Sequence, residues 1–285
     1  MLEMLLNPRR SARHPWELFF VGLIYASLSV LLVQWIFSGD AVLVKYSGIL
    51  IVTFTVMFSI PYVYYTIKIE EEKDSTYESS FRLLKEHSKA VHGLLWLFLG
   101  FIVAFSVLFI LLGSTDNYKA QIETFCAINS PGNYDSCIQE YGVITGRVTG
   151  GFSNAQLLGG IFTNNLYVLI FTVIFSVIFG AGGIFVLAWN ASVISAAMVI
   201  FAKQDLYSLP LSLGRYMIHG FPEIAAYFVG TLAGGIIGLS IVRKEFKSEK
   251  FWNILHDSLL LIISGIVILL IAALMEVYIT PMLFN

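Results

Sequence analysis

The 285 residues are 57% hydrophobic and 13% charged, with a net charge of -2, against roughly 45–50% and about 25% in an ordinary soluble domain. A water-soluble core cannot absorb that apolar excess. The small negative balance, with no Lys/Arg block interleaved with aromatics, also sets nucleic acid aside as a partner.

Spanning a bilayer takes about 20 consecutive apolar residues in a helix. Apolar runs between charged or turn-forming residues predict such helices over 17–38, 43–67, 93–113, 164–189, 217–242 and 254–280. The run from Trp16 to Phe37 exceeds the roughly 7–15 residues of a signal-peptide core, so it reads as a retained first span. Between the second and third spans, Ser75 and Glu78 fit a capping box, with Tyr77, Phe81 and Leu84 at helical spacing behind them. A short amphipathic cytoplasmic helix is therefore expected within 68–91. No short repeat or low-complexity tract divides the chain, and 1–285 is read as one integral membrane domain.

Lys and Arg near span ends mark the cytoplasmic side. They gather before the first span (Arg9, Arg10, Arg13), in 68–91 (Lys68, Lys73, Arg82, Lys85, Lys89) and in 243–250 (Arg243, Lys244, Lys247, Lys250). The connection 114–163 carries only Lys119 and Arg147, which places it outside. Cys126 and Cys137 bracket a Ser-Pro-Gly-Asn turn there, and an oxidising exterior would let them close a disulfide. With this orientation the segment 190–216 has to cross as well. Asn190, the polar Lys203-Gln204-Asp205 and Pro210 suit a broken helix, and a re-entrant hairpin is the alternative. The expected architecture is an all-α polytopic bundle of six full spans plus one broken or re-entrant segment, its N-terminus cytoplasmic and its C-terminus extracytoplasmic.

Polar groups inside a membrane cost free energy unless paired, so they are the functional candidates. His219 and Glu223 share a face four residues apart, and Pro222 suits a first helical turn there. Small residues continue that face through Gly230, Gly234 and Gly238, and Gly180 and Gly183 recur in the span 164–189. Helices lined in this way can pack closely. Asn164 and Asn165 fall at the level of His219 and Glu223, so two amides, an imidazole and a carboxylate can form one cluster, with Asn190 as a further member. One role for it is structural, fixing how the bundle packs. A second is an ion or proton path at His219 and Glu223. A third is an intramembrane metal-dependent hydrolase with those two residues as ligands, which the inventory opposes: the other histidines, His14, His87, His92 and His256, fall on the cytoplasmic side. No Gly-x-Ser-x-Gly elbow, Walker loop or dinucleotide fingerprint is present. No cofactor is implied.

The order Asn164-Asn165, Gly180, Gly183, Asn190, His219-Gly220-Phe221-Pro222-Glu223 and the Gly230 to Gly238 stripe resembles the stage II sporulation protein M family of membrane proteins, mainly over 160–243. That resemblance implies a membrane scaffold or localiser, since the bacterial namesake works with extracytoplasmic peptidoglycan-remodelling enzymes during engulfment. It departs from the family pattern at Ala191, where Gly is usual after the Asn190 equivalent. The expectation is a multi-pass protein of the cell membrane, not an enzyme, which forms a homo-oligomer and meets envelope proteins through the 114–163 loop.

Overall fold

The computed structural model describes residues 14–40, 42–74, 80–112, 118–129, 154–204, 209–243 and 248–283. Regular structure among them is helical throughout. We number the helices α1 (Glu17–Phe37), α2 (Ser47–Asp74), α3 (Ser80–Leu112), α4 (Lys119–Asn129), α5 (Asn154–Phe179), α6 (Gly183–Gln204), α7 (Leu209–Val242), α8 (Glu249–Leu274) and α9 (Thr280–Leu283). A 3-10 turn, Leu43–Tyr46, precedes α2, and a π-helical stretch, Met275–Ile279, joins α8 to α9.

Among the described residues, seven helical segments are long and apolar enough to cross a membrane: Glu17–Phe37, Leu43–Glu72, His87–Leu112, Asn154–Phe179, Gly183–Ile200, Met217–Val242 and Phe251–Leu283. The protein is thus an all-α polytopic bundle. In an apolar 18-residue stretch of the α7 span 83% of the residues are buried, against 22% in such a stretch of α5. The centre of the bundle is therefore α7, while α5 presents Tyr167, Phe171, Ile174 and Ile178 outward, as a surface solvated by acyl chains requires.

Helix boundaries depart from expectation around Asn190. No break occurs there, because α6 runs unbroken from Gly183 to Gln204. The Asn190 amide donates to its own helix at Val186 O, 2.7 Å away, and Ala191, fully buried, is the residue type that favours helix most. The interruption falls earlier, inside the run 164–189. There α5 ends at Phe179 and Gly180 adopts φ +66, a left-handed conformation that glycine alone takes without a Cβ penalty. Ser176 Oγ then accepts the Gly183 N–H at 2.9 Å, satisfying one of the donors that the start of α6 would leave open. The broken or re-entrant segment is accordingly a whole span, and the turn at Gly180–Gly182 supplies the reversal.

Within 68–91, where a short amphipathic helix is expected, α2 reaches Asp74 and α3 begins at Ser80. The capping pair Ser75 and Glu78 lies outside the described residues. Pro222 stands in the interior of α7, which begins at Leu209, so it is not in a first turn.

Close backbone crossings hold the bundle. A Cβ at Gly22 would overlap the Leu97 carbonyl oxygen, and one at Gly100 would overlap Phe19 O, which packs α1 against α3 with the two chains running in the same direction. Likewise Gly230 meets Leu169 and Val173, Gly234 meets Val173 and Ser176, and Gly238 meets Val177. That register sets α5 and α7 parallel, a glycine every fourth residue letting the backbones approach. Between α3 and α6, Ser195 Oγ donates to Ile102 O at 3.1 Å. Lipid tails are as apolar as Leu, so this packing derives from van der Waals contact and hydrogen bonds rather than from water exclusion.

Candidate functional site

Glu223 lies one and a half turns into the span that opens at Met217, and α5 carries Asn165 past it. The Asn165 Nδ2 donates to Glu223 Oε1 at 2.6 Å, and Asn164 Nδ2 donates to Asn165 Oδ1 at 3.5 Å. Two adjacent amides and a carboxylate thus form a short relay between α5 and α7.

The imidazole of His219 points to a different neighbour. Its Nδ1 lies 3.3 Å from Thr280 Oγ1, on the element that follows α8. Thr280 Oγ1 also donates to Met275 O at 3.1 Å, which closes the π stretch upon itself. Pairing 219 with 280 places residues 223 and 276 opposite each other one turn further along both segments. Glu276 accordingly lies within electrostatic reach of Glu223, and Tyr227, one turn deeper on α7, within reach of both carboxyl groups.

Of the five polar residues singled out in the sequence, Asn164, Asn165 and Glu223 are in one hydrogen-bonded set and His219 is its neighbour. Asn190 is elsewhere, spent on its own helix. Glycines 183, 230, 234 and 238 lie in the α5–α6–α7 packing, with Gly183 against Thr231 and Ser176, while Gly180 is in open space at the turn. Sequence reasoning passes over Glu276, although a carboxylate within an apolar span is itself a signal. Tyr227 gives a weaker one, a tyrosine four residues after Glu223. Among the described residues, no three of His, Cys, Asp and Glu are gathered so as to hold a metal ion.

A second polar set is at the opposite end of α7. His87 Nδ1 lies 2.8 Å from Glu70 Oε2, both side chains buried, and Arg243 Nη1 pairs with Glu71, which is fully buried. The ends of α2, α3 and α7 are tied together there. Arg243, a topology marker in the sequence, thus also fastens helices.

On the other side, α4 lies across the bundle end with Tyr118, Ile122, Phe125 and Cys126 buried. Burial pushes the Tyr118 phenol above its ordinary range, and its ring meets Phe109 edge-on at 4.3 Å. Gln121 Nε2 donates to Gly48 O at 3.0 Å, joining α4 to the start of α2. Cys126 is not a free thiol, while Cys137 lies outside the described residues.

A family model described as Stage II sporulation protein M matches residues 18–281, nearly the whole chain. No curated protein and no solved structure gives a match.

Proposed function

The chain belongs to the stage II sporulation protein M family, and from that premise we propose that it is an integral membrane scaffold of the cell envelope rather than an enzyme. What carries the reading is the packing of α7. It is gripped along one side through Gly230, Gly234 and Gly238, joined to α5 by the Asn165–Glu223 bond and tied to α2 through Arg243 and Glu71. A helix held at both ends and along its length suits a body that positions partners. The orientation proposed has the N-terminus and the Arg243 end cytoplasmic, by the distribution of Lys and Arg.

Partners are proposed to meet the 114–163 loop, anchored by α4, with a Cys126–Cys137 bridge closing its base. The burial of Cys126 at the foot of that loop supports this. Self-association through exposed helix faces belongs to the same proposal.

Native mass spectrometry of the detergent-purified chain, wild type beside Glu223→Gln and His219→Ala, tests it. A defined oligomer that Glu223→Gln retains supports the scaffold. A monomer in every condition, with no envelope protein cross-linked through the loop, sinks it. The opposition of Glu276 to Glu223 favours a second reading, a carrier, for which Glu223→Gln folds but abolishes flux in proteoliposomes.

A further inference from the structure

The three-helix units on either side of α4 are built alike. In the first, α1 and α3 run parallel and cross closely at Gly22 and Gly100; in the second, α5 and α7 run parallel and cross at Gly230, Gly234 and Gly238. The third helices share the most. Their spans, His87–Leu112 and Met217–Val242, are both 26 residues long, and Phe98-Leu99-Gly100 occupies in one the place that Phe228-Val229-Gly230 occupies in the other. These matching places also meet: the rings of Phe98 and Phe228, both buried, lie edge to face at 6.3 Å.

Direction is inverted between the units. Ile102 and Ser106 of α3 meet Ser195 and Met198 of α6 in that order, and Ile67 and Glu71 of α2 meet Gly235 and Arg243 of α7 in that order. The third helix of each unit thus runs parallel to the middle helix of the other. Because α2 returns antiparallel to α3, with Glu70 beside His87 where the two adjoin, α3 and α7 are antiparallel. An approximate two-fold axis in the membrane plane, passing between Phe98 and Phe228, exchanges the units.

We propose that α1–α3 and α5–α7 are inverted repeats that rock as two bodies about the Phe98–Phe228 contact, closing one side of the membrane as the other opens, with Arg243 and Glu71 as the latch of one side. Bonding within and between the units differs in kind. Within each, a backbone carbonyl fills the place of a glycine Cβ, at Gly22 in the first and at Gly234 and Gly238 in the second, so the crossing helices move together. Between them the joint is made through side chains: the aromatic pair, Ile67 against Gly235, Ser195 on Ile102 O, the Ser106 hydroxyl 3.8 Å from the Met198 sulfur, and the ion pair. Packed side chains of this kind take up small rotations and sliding. The latch is at the rim, with Glu71 fully buried and the Arg243 side chain 30% exposed, so opening that side returns both charges to water. Inverted repeats of this arrangement recur in membrane carriers that alternate access. The proposal therefore deepens the carrier reading and rests on it for what the motion serves.

The test is double electron–electron resonance on the full chain in detergent and in lipid, with spin labels at two exposed pairs that each bridge the units: Tyr65→Cys with Val242→Cys near the latch, and Leu111→Cys with Leu157→Cys at the other end. Labelling is done without reductant, since Cys126 is not a free thiol. One main distance is expected for each pair when the latch is intact. Glu71→Gln is expected to raise the population of a second, longer 65–242 distance roughly tenfold, and to shorten 111–157 in step with it. Arg243→Gln should do the same, and carries the test should Glu71→Gln fail to fold. One unchanged distance for each pair, with the latch intact and in both latch variants, overturns the proposal even where proteoliposomes show flux. A 65–242 distance that lengthens while 111–157 stays fixed also overturns it, because the helix ends then part without the bodies turning. Coupled changes at the two ends support the rocking even where no flux is found, and in that case the carrier reading alone falls.

Discussion

Asn165 and Glu223 are 58 positions apart in sequence and 2.6 Å apart in space, an amide donor on one span meeting a carboxylate on another. Such a bond in place of a hydrated carboxylate explains how Glu223 is accommodated beside apolar helices. It also ties the register of α5 to that of α7, because the same register brings Gly230, Gly234 and Gly238 against Leu169, Val173 and Val177.

Removing the donor is expected to cost more than altering the acceptor. Asn165→Ala leaves Glu223 without its bond and should destabilise by about 1–2 kcal/mol, the scale measured for polar contacts between membrane helices. Glu223→Gln keeps an acceptor oxygen and should lose less than half of that. Unfolding midpoints of the two variants in detergent, beside wild type, give the comparison, and equal losses would count against the bond as the determinant.

Gly234→Ala should destabilise by about 1–3 kcal/mol, as overpacking does, because the added methyl overlaps the Val173 carbonyl, which is backbone and cannot swing aside. Gly220→Ala offers the contrast. Its nearest neighbour is Met217 Cε at 3.7 Å, so the substitution should be neutral or slightly stabilising. Midpoints shifted alike by the two changes would show that the α5–α7 crossing is not close.

Arg243 and Glu71, 172 residues apart, tie the end of α7 to the end of α2. A double-mutant cycle with Arg243→Ala and Glu71→Gln should return a coupling of about 1–2 kcal/mol. This is below the figure for a fully buried pair, because the Arg243 side chain is 30% exposed. A coupling near zero would mean that the pair is incidental to the fold.

Asp40 provides the pH-dependent case. The backbone N–H groups of Leu43 and Val42 hold its carboxyl below the usual range, with its Oδ1 2.9 and 2.8 Å from them. A group whose folded value is depressed contributes stability above its unfolded value and loses it as pH falls through the folded one. The midpoint difference between wild type and Asp40→Ala should therefore be present at pH 7 and shrink as pH drops below about 4. A difference unchanged at low pH would assign the effect to something other than the carboxylate.

Chain class, span count to within one, and the polar residues that bond α5 to α7 are legible without a structure. Apolar run length is a local property, and an amide or carboxylate in such a run stands out against it. The turn between α5 and α6 is less legible. Asn190 looks like a break because it is polar, yet its side chain bonds its own helix, while the chain turns at Gly180, in a stretch of uniformly apolar character. Local composition reports the cost of a polar group but not which carbonyl will satisfy it.

By itself the amino-acid sequence determined that this protein resides in a bilayer, in helices, with Asn165, Glu223 and His219 as groups that need partners. Only the tertiary structure decided who those partners are. Glu223 takes Asn165, His219 takes Thr280, and a π-helical turn brings Glu276 to face Glu223. The physical reason is that pairing between spans depends on the register and crossing of helices far apart in the chain, and helical periodicity within one span carries no information about the rotation of its neighbour.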